Sequence, residues 1–266
     1  VGDVGQALIR PAARAGEAAR EECLKHFRDM GLAAENKDRG GGYDPVTVAD
    51  RAAEAAIRTV LTRERPQDGV LGEEEGASHG ASGLTWVVDP IDGTRAFLIG
   101  APTWGVLIAL NDGARPVMGL MDQPWTRERF WGVTQGEPRA WLERDGESRP
   151  LRTRRGVTLP EARLCSTFPE VGSAEERTAF ERVRDAARLT RYGLDCMGYA
   201  LLAAGQVDLV AEAGLAPYDI QALIPIVEGA GGVVTTWDGG DAQQGGRILA
   251  AGDAALHGAA MARLAG

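Results

Sequence analysis

The residues with the clearest chemical potential lie between positions 86 and 94, in the stretch WVVDPIDGT. A hydrophobic run leads there into a tight turn that carries two carboxylates, Asp89 and Asp92, three positions apart. Two carboxylates on such a turn can share one divalent cation or bridge two, with the Ile91 carbonyl as a further oxygen ligand. The backbone N–H groups of residues 93–95 would face an anion, so a metal site and a phosphate site would adjoin. The alternative is an Asp-Pro turn followed by an Asp helix cap, which is common without any such site.

Acidic residues recur at the ends of other predicted elements. Glu73 lies in the run LGEEEG, Asp50 in the first turn of a predicted helix, and Asp219 at the start of a later one. Each has an ordinary explanation, as part of a solvated loop or as a charge that complements a helix dipole. Together they would form an all-oxygen metal site, and the three histidines are isolated in the sequence. Hard carboxylates without soft ligands favour Mg²⁺ over zinc.

The elements that must position these residues follow from hydrophobic periodicity and from Gly and Pro punctuation. The first half is predicted to contain, in order, one or two helices over 3–30, a mobile polar loop over 35–42, a helix over 49–65, a strand over 84–88 that stops at Asp89-Pro90, an antiparallel meander over 103–110, 117–121 and 129–133, and a hairpin over 139–152. The second half is predicted to alternate strands at 163–166, 189–192, 207–212, 233–237 and 248–251 with helices at 174–187, 196–204, 217–229 and 254–264. This alternation predicts a layered α/β fold with mixed sheets. We expect one compact unit of two halves, 1–135 with most of the acidic site residues and 136–266 with Asp219.

Composition excludes several classes of protein. The chain has 29 Lys+Arg against 38 Asp+Glu, a formal charge of −9, which argues against sequence-independent nucleic-acid binding. The longest apolar run, residues 104–110, is too short to span a bilayer, so we expect no membrane association. Three scattered cysteines predict reduced thiols and a cytoplasmic location. The chain also lacks the Asp-x-Asp, Cys-x5-Arg and P-loop patterns, which argues against a haloacid-dehalogenase-type phosphatase, a cysteine phosphatase and a P-loop protein.

Three ordered motifs together resemble the inositol monophosphatase family. They are Gly72-Glu73-Glu74, Asp89-Pro90-Ile91-Asp92-Gly93-Thr94, and Pro217-Tyr218-Asp219 followed by Gly229-Ala230-Gly231-Gly232. The resemblance covers nearly the whole chain, and motifs in the right order are far more specific than any one alone. It implies an αβαβα sandwich and a Mg²⁺-dependent, lithium-sensitive phosphomonoesterase that forms a homodimer.

The resemblance also assigns roles to single residues. Glu73, Asp89 and the Ile91 carbonyl would hold a first metal, Asp89, Asp92 and Asp219 a second, and Glu73 would help to hold a third through water. Asp50 and Thr94 would polarise the attacking water, with Glu73 nearby. Gly93 and Thr94 would bind the phosphate through backbone N–H groups, while Arg95 would add charge there or pair with an acid. Lys37 matches the mobile-loop lysine of the family, and a solvated loop lysine is the alternative.

Further motifs concern the choice of phosphomonoester. Those that resemble histidinol-phosphate phosphatases of this family lie at 92–97, 102–105, 121–124, 191–196 and 212–223. Histidinol phosphate carries an ammonium and an imidazole, so its pocket benefits from acids that hold no metal, and Asp195 and Glu212 are the candidates. A helix N-cap is the alternative for Asp195. Other enzymatic alternatives are inositol, fructose or nucleotide phosphates, and the alternative from another class is a non-catalytic, metal-binding regulatory protein.

Overall fold

Helices and strands cover most of the chain in this computed structural model, which describes residues 6–37 and 44–266. The helices are α1 (Gln6–His26), α2 (Val48–Glu64), α3 (Thr94–Leu98), α4 (Ala174–Arg184), α5 (Cys196–Ala203), α6 (Pro217–Ile220), α7 (Leu223–Gly229) and α8 (Ala254–Ala265). The strands are β1 (Ala34–Asn36), β2 (Pro45–Thr47), β3 (Gly69–Gly72), β4 (Gly76–Ser78), β5 (Thr85–Asp92), β6 (Gly105–Asn111), β7 (Pro116–Gln123), β8 (Glu128–Val133), β9 (Arg139–Arg144), β10 (Glu147–Pro150), β11 (Arg163–Ser166), β12 (Leu189–Tyr192), β13 (Leu209–Leu215), β14 (Val233–Thr236) and β15 (Gly246–Ala251).

Two multi-stranded sheets and three helical layers alternate, and β1 and β2 form a separate two-stranded sheet. The large sheet has the order β10-β9-β8-β7-β6-β5-β3-β4, and the smaller sheet has the order β12-β11-β13-β15-β14. Helices α1 and α2 pack together on one face of the large sheet, while α7 contacts β7, β8 and β9 on its other face and β14 of the smaller sheet. Helices α4 and α8 pack together, and α8 contacts β15 on the outer side of the smaller sheet. The predicted αβαβα sandwich is confirmed.

Each layer buries the face that its sequence makes apolar. Ala53, Ile57, Val60 and Leu61 of α2 recur at helical spacing and are all buried against the large sheet. Strands β6 and β7 are buried at every position because helices cover both faces of the sheet. A second cluster of buried apolar residues fills the space between the two sheets, and a third lies under α4 and α8.

The antiparallel meander and the hairpin are confirmed. Strands β5 to β10 pair in chain order and antiparallel, and only β3 pairs parallel to β5 within this sheet. The predicted division at 135/136 falls between β8 and β9, which are neighbouring strands of the sheet.

Three predicted boundaries were wrong. Glu35 and Asn36 belong to strand β1, which pairs with β2, and not to a loop. Lys37 follows that strand, and the rest of the predicted loop, 38–42, lies outside the described residues. Strand β5 continues through Pro90 to Asp92, because a register shift lets the turn residues keep pairing with β6. The helix predicted over 217–229 is two helices, since Pro225 lacks the N–H that would continue the first one and its ring crowds the preceding turn.

All three cysteines are buried and unpaired, as predicted for reduced thiols. Cys23 lies in the cluster under α1 and α2, whereas Cys165 and Cys196 lie in the cluster between the sheets. Among the helices of the described residues, none combines the length and apolar character that crossing a membrane requires.

Candidate active site

The end of β5 brings three predicted ligands to one place. Between Asp89 and Asp92 the pairing of β5 with β6 shifts register, so three residue steps of β5 lie opposite two of β6. Asp89 is only 2% exposed, and its Oδ1 accepts a hydrogen bond of 3.0 Å from the Ile91 N–H. The Asp92 Oδ2 accepts one of 2.7 Å from the Cys196 N–H at the start of α5. Both carboxylates are therefore held by backbone groups, and neither has a cationic side chain as its hydrogen-bond donor in these contacts.

Asp219 joins them from the first turn of α6. Pro217 begins this helix, and the Asp219 Oδ2 accepts a 2.7 Å hydrogen bond from the Ala216 N–H, as in a capping box. One oxygen from each of Asp89, Asp92 and Asp219 lies within 4.8 Å of the other two. Three converging carboxylate oxygens, without His or Cys in the group, fit a hard divalent cation such as Mg²⁺. The structure thus brings together the residues predicted for the second metal.

Glu73 reaches the same cavity from the turn between β3 and β4, where it forms an ion pair. The Lys37 Nζ lies 2.6 Å from Glu73 Oε1 and 2.8 Å from Glu74 Oε1. Lys37 is therefore not a solvated loop lysine but a partner of the site's acids. Glu54, which the sequence analysis missed, fixes this turn: its carboxylate accepts the backbone N–H groups of Glu74 and Glu75. A charged residue on the buried face of α2 was the only signal for it.

The electrostatics of the cluster favour a cation. Burial raises the pKa of Glu73 to about 7, with the Lys37 ammonium opposing the rise, and burial raises the pKa of Asp219 to about 6. For Asp89, burial and then the charges of Glu73, Asp92 and Asp219 hold the pKa well above its ordinary value. Ionised carboxylates packed this closely need positive charge between them, which a bound divalent ion would supply.

Asp50 and Thr94 meet beside the carboxylates. Asp50 is the third residue of α2, and its Oδ2 accepts the Thr47 N–H at 2.8 Å and the Thr47 hydroxyl at 2.6 Å. Its other oxygen, Oδ1, lies 3.3 Å from the Thr94 Oγ1, which is also 3.1 Å from the Ile91 carbonyl oxygen. Asp50 thus caps the helix, as its ordinary explanation requires, and also contacts Thr94 with its free oxygen. The two residues predicted to act on the attacking water are adjacent.

A cavity of about 500 Å³ joins these groups, lined by Asp44, Pro45, Glu73, Asp89, Ile91, Asp92, Gly93, Thr94, Arg95, Phe168, Asp195, Gly214, Ala216, Tyr218 and Asp219. Gly93 has a φ of 84°, and a Cβ there would lie 3.1–3.2 Å from the Asp195 side chain and the Trp104 Cα. The wall between the metal cluster and α5 is thus closely packed, and glycine suits it because only glycine adopts this φ without strain.

Comparison with known proteins assigns this arrangement to a family. The inositol monophosphatase family profile matches residues 4–265. This chain belongs to the inositol monophosphatase family. A histidinol-phosphatase of Mycobacterium tuberculosis is 38% identical over 83% of this chain and 84% of its own length. A chloroplastic bifunctional phosphatase of Arabidopsis thaliana is 40% identical over 84% of this chain, but the match spans only 62% of the plant protein. A solved inositol monophosphatase from Zymomonas mobilis is 39% identical, with a TM-score of 0.83 and 97% of each chain covered.

As a member of the inositol monophosphatase family, the protein is a phosphoric monoester hydrolase. The predicted class of enzyme is therefore confirmed. The carboxylate cluster is compatible with the Mg²⁺ that the family generally uses.

The two acids predicted for the substrate side occupy different environments. Asp195 lines the cavity and is also the N-cap residue of α5, but its side chain makes no capping hydrogen bond. Burial raises the pKa of Asp195 to about 6, and the charge of Arg95 opposes this rise. Glu212 is not among the residues that line the cavity. It is 6% exposed and accepts hydrogen bonds from Thr167 and Ser166. The position of Glu212 therefore argues against direct contact with the substrate.

Proposed function

We propose that this member of the inositol monophosphatase family hydrolyses L-histidinol phosphate to L-histidinol and inorganic phosphate, with Mg²⁺ as cofactor. The observation that carries the hydrolysis is the convergence of Asp89, Asp92 and Asp219 beside the Asp50–Thr94 contact. The observation that favours this substrate is a carboxylate in the cavity wall, Asp195, that belongs to neither the ligand cluster nor the Asp50–Thr94 pair. The histidinol-phosphatase name of a relative with 38% identity supports the same substrate.

The proposed metal ligands combine the carboxylate cluster of Asp89, Asp92 and Asp219 with the roles that the resemblance to the family implies. Asp89, Asp92 and Asp219 would hold one ion, and Glu73, Asp89 and the Ile91 carbonyl another. When bound, Mg²⁺ lowers the pKa of a coordinated water and stabilises the leaving alkoxide. The Lys37 ammonium pairs with Glu73 and Glu74 in this structure, so an ion held by Glu73 would share that carboxylate with Lys37.

The chain's own groups position the reactants and move the proton. The Thr94 hydroxyl, in contact with the Asp50 Oδ1, is placed to accept the proton of the attacking water while passing its own proton to Asp50. The N–H groups of residues 93–95 lie in the first turn at α3, where they have no acceptor within the helix, and would bind the phosphate oxygens. Water attacks phosphorus and the P–O bond to the alcohol breaks. The departing alkoxide is protonated by solvent water, to which Asp50 returns the proton that it received.

Substrate choice is proposed to depend on Asp195. An ammonium opposite a partly desolvated carboxylate forms a charge-assisted hydrogen bond worth roughly 1.5–3 kcal/mol. We expect Asp195→Asn to lower kcat/KM for histidinol phosphate about 10- to 150-fold and to change that for inositol 1-phosphate far less. Equal losses on both substrates would mean that Asp195 supports the metal cluster or the fold.

The central experiment measures Mg²⁺-dependent phosphate release from histidinol phosphate, inositol 1-phosphate, fructose 1,6-bisphosphate and adenosine 3′,5′-bisphosphate. The proposal expects the highest kcat/KM for histidinol phosphate, inhibition by lithium, and loss of activity on chelation. Highest kcat/KM for inositol 1-phosphate would favour the second candidate function, which the 39% identity to the Zymomonas enzyme supports. Undiminished turnover after exhaustive chelation would exclude the metal mechanism, and no turnover of any ester would favour a regulatory, non-catalytic role.

We also propose that the protein acts as a homodimer in the cytoplasm, without nucleic-acid or membrane partners. The resemblance to the family supports the dimer, and the charge of −9 supports the absence of nucleic acid. Light scattering on the purified chain tests the dimer, and a single-chain mass would contradict it.

A further inference from the structure

Phe168 is an aromatic side chain in an unusual position. It is 42% exposed, and among the exposed large hydrophobic residues of the described chain it alone lines the active-site cavity. The Arg95 guanidinium carbon lies 4.7 Å from the centre of its ring. One face of the ring is therefore covered by a cation from the phosphate side of the cavity, and the remaining exposed surface is available to a ligand.

Hydrogen bonds to Glu212 of β13 hold the segment that precedes Phe168. The Glu212 Oε1 accepts the Thr167 N–H at 2.8 Å and the Thr167 hydroxyl at 3.0 Å, and Oε2 lies 3.3 Å from the Ser166 hydroxyl. The Gly193 N–H donates to the carbonyl oxygens of Ser166 and Thr167. The backbone before Phe168 is thus fixed between β13 and the loop before α5, which sets where the ring can lie.

Arg95 and Asp195 line the same cavity as Phe168. The charge of Arg95 also opposes the rise in the pKa of Asp195. The cavity wall therefore presents an aromatic ring, a guanidinium and a carboxylate. A flat group packs well on the ring, and a cationic group is attracted to both the ring and the carboxylate.

We propose that Phe168 is a specificity-determining residue that contacts the alcohol portion of the substrate, and that Glu212 is a positioning residue acting through Thr167. The inference rests on the proposed function, because the imidazole and ammonium of histidinol suit such a wall whereas a polyol does not. It differs from the expectation from sequence, in which Glu212 itself met the substrate.

The first test compares kcat/KM for histidinol phosphate and inositol 1-phosphate in Phe168→Leu and Phe168→Tyr. Phe168→Leu should lower the value for histidinol phosphate about 5- to 30-fold, mainly through a higher KM, and that for inositol 1-phosphate less than about 2-fold. Phe168→Tyr keeps the ring and should stay within about 2-fold of wild type. Trp125→Leu is the matched control, since Trp125 is also an exposed aromatic residue, with the Arg28 guanidinium 4.5 Å from its ring, but lies outside the cavity.

The second test is a double-mutant cycle on the same two substrates. Glu212→Ala removes the acceptor oxygens for Thr167 and Ser166 and should lower kcat/KM selectively for histidinol phosphate. If it acts through Phe168, it should have little further effect in the Phe168→Leu background. Losses that multiply would show a separate contact and overturn the positioning role, and equal losses on both substrates would indicate a structural role.

The outcomes separate this inference from the proposed function. If the wild-type enzyme does not prefer histidinol phosphate, the proposed function fails and the role of Phe168 fails with it. If the wild type does prefer it but Phe168→Leu affects both substrates equally, or neither, only the inference about Phe168 is overturned.

Discussion

Asp89 is the residue on which most of the site depends. It is buried, it neighbours Glu73, Asp92 and Asp219, and it belongs to both of the ligand sets inferred for the cavity. The Ile91 N–H donates a hydrogen bond to its Oδ1, and an asparagine side-chain oxygen can accept the same hydrogen bond. Replacing the carboxylate by an amide therefore removes charge from the cluster while keeping its shape.

We expect Asp89→Asn to be the most damaging single substitution. Loss of a group that hydrogen-bonds to a metal ligand lowers activity roughly 10- to 100-fold. Asp89→Asn removes a ligand itself, so its turnover rate should fall further than that. The metal-free variant should unfold at the same or a higher temperature than wild type, since like charges no longer repel. Steady-state kinetics at saturating Mg²⁺ and thermal unfolding check both points. Asp185→Asn, an equal change of charge at an exposed position, is the control, and near-normal turnover in Asp89→Asn would contradict the ligand assignment.

The role of a residue could be predicted from the sequence where the other residues of the site lie close to it in the chain. Asp89, Asp92 and Thr94 lie in one turn, so their spacing alone indicated shared chemistry. Glu54 and Phe168 were missed because their roles come from contacts distant in sequence: Glu54 holds a turn 20 residues away, and Phe168 meets Arg95. No local pattern distinguishes such residues from an ordinary helix charge or an ordinary loop aromatic.

At the scale of elements, the close approach of α7 to the large sheet is the most demanding contact. A Cβ on Gly132 of β8 would lie 2.2 Å from backbone atoms of Pro225 and Ile226. A Cβ on Gly119 of β7 would lie 1.9 Å from the Ala222 carbonyl oxygen. Backbone cannot move aside as a flexible side chain can, so the two sheet glycines set the distance between these layers.

Gly132→Ala should therefore destabilise the protein by about 1–3 kcal/mol or more through overpacking. Gly258→Ala in α8 is the matched substitution: no atom lies within 4 Å of its added Cβ, and alanine in a helix is favoured by about 0.5–1 kcal/mol. Urea unfolding of the two variants should thus show opposite signs. An unchanged midpoint for Gly132→Ala would mean that α7 shifts easily on the sheet.

Most elements were predicted from periodicity, and the exceptions have specific causes. The continuation of β5 past Pro90 depends on pairing with β6, and the pairing that makes Glu35 and Asn36 a strand depends on β2. These are contacts between strands, which hydrophobic period in one segment does not reveal. The split between α6 and α7 was visible in the sequence, because Pro225 lay inside the predicted helix.

At the scale of the whole molecule, the buried acids couple stability to pH and to metal. Burial raises the pKa of Glu73 to about 7, that of Asp219 to about 6 and that of Glu212 to about 8. The folded chain therefore binds more protons than the unfolded chain between about pH 4 and 8. Stability falls with rising pH wherever the folded state holds the extra protons.

We expect the metal-free protein to lose thermal stability as pH rises from about 5 to 8. Mg²⁺ binds the ionised carboxylates, so it should raise Tm most at pH 8 and little at pH 5. Scanning calorimetry in EDTA and in Mg²⁺ at several pH values measures both trends. Stability of the metal-free protein that rises over this range would contradict the protonation of these acids in the folded state.

The burial of every cysteine has a kinetic consequence. Burial raises the pKa of the Cys165 thiol to about 12 and holds those of Cys23 and Cys196 well above their ordinary values. A disulfide reagent in water reacts only with an accessible thiolate. Each buried thiol can therefore be modified only when its region of the protein opens locally. Cys23 reports on the helical layer over the large sheet, and Cys196 on the start of α5, where its own N–H holds Asp92. The modification rate of each cysteine therefore measures how often its region opens, and Mg²⁺ should slow the modification of Cys196 more than that of Cys23.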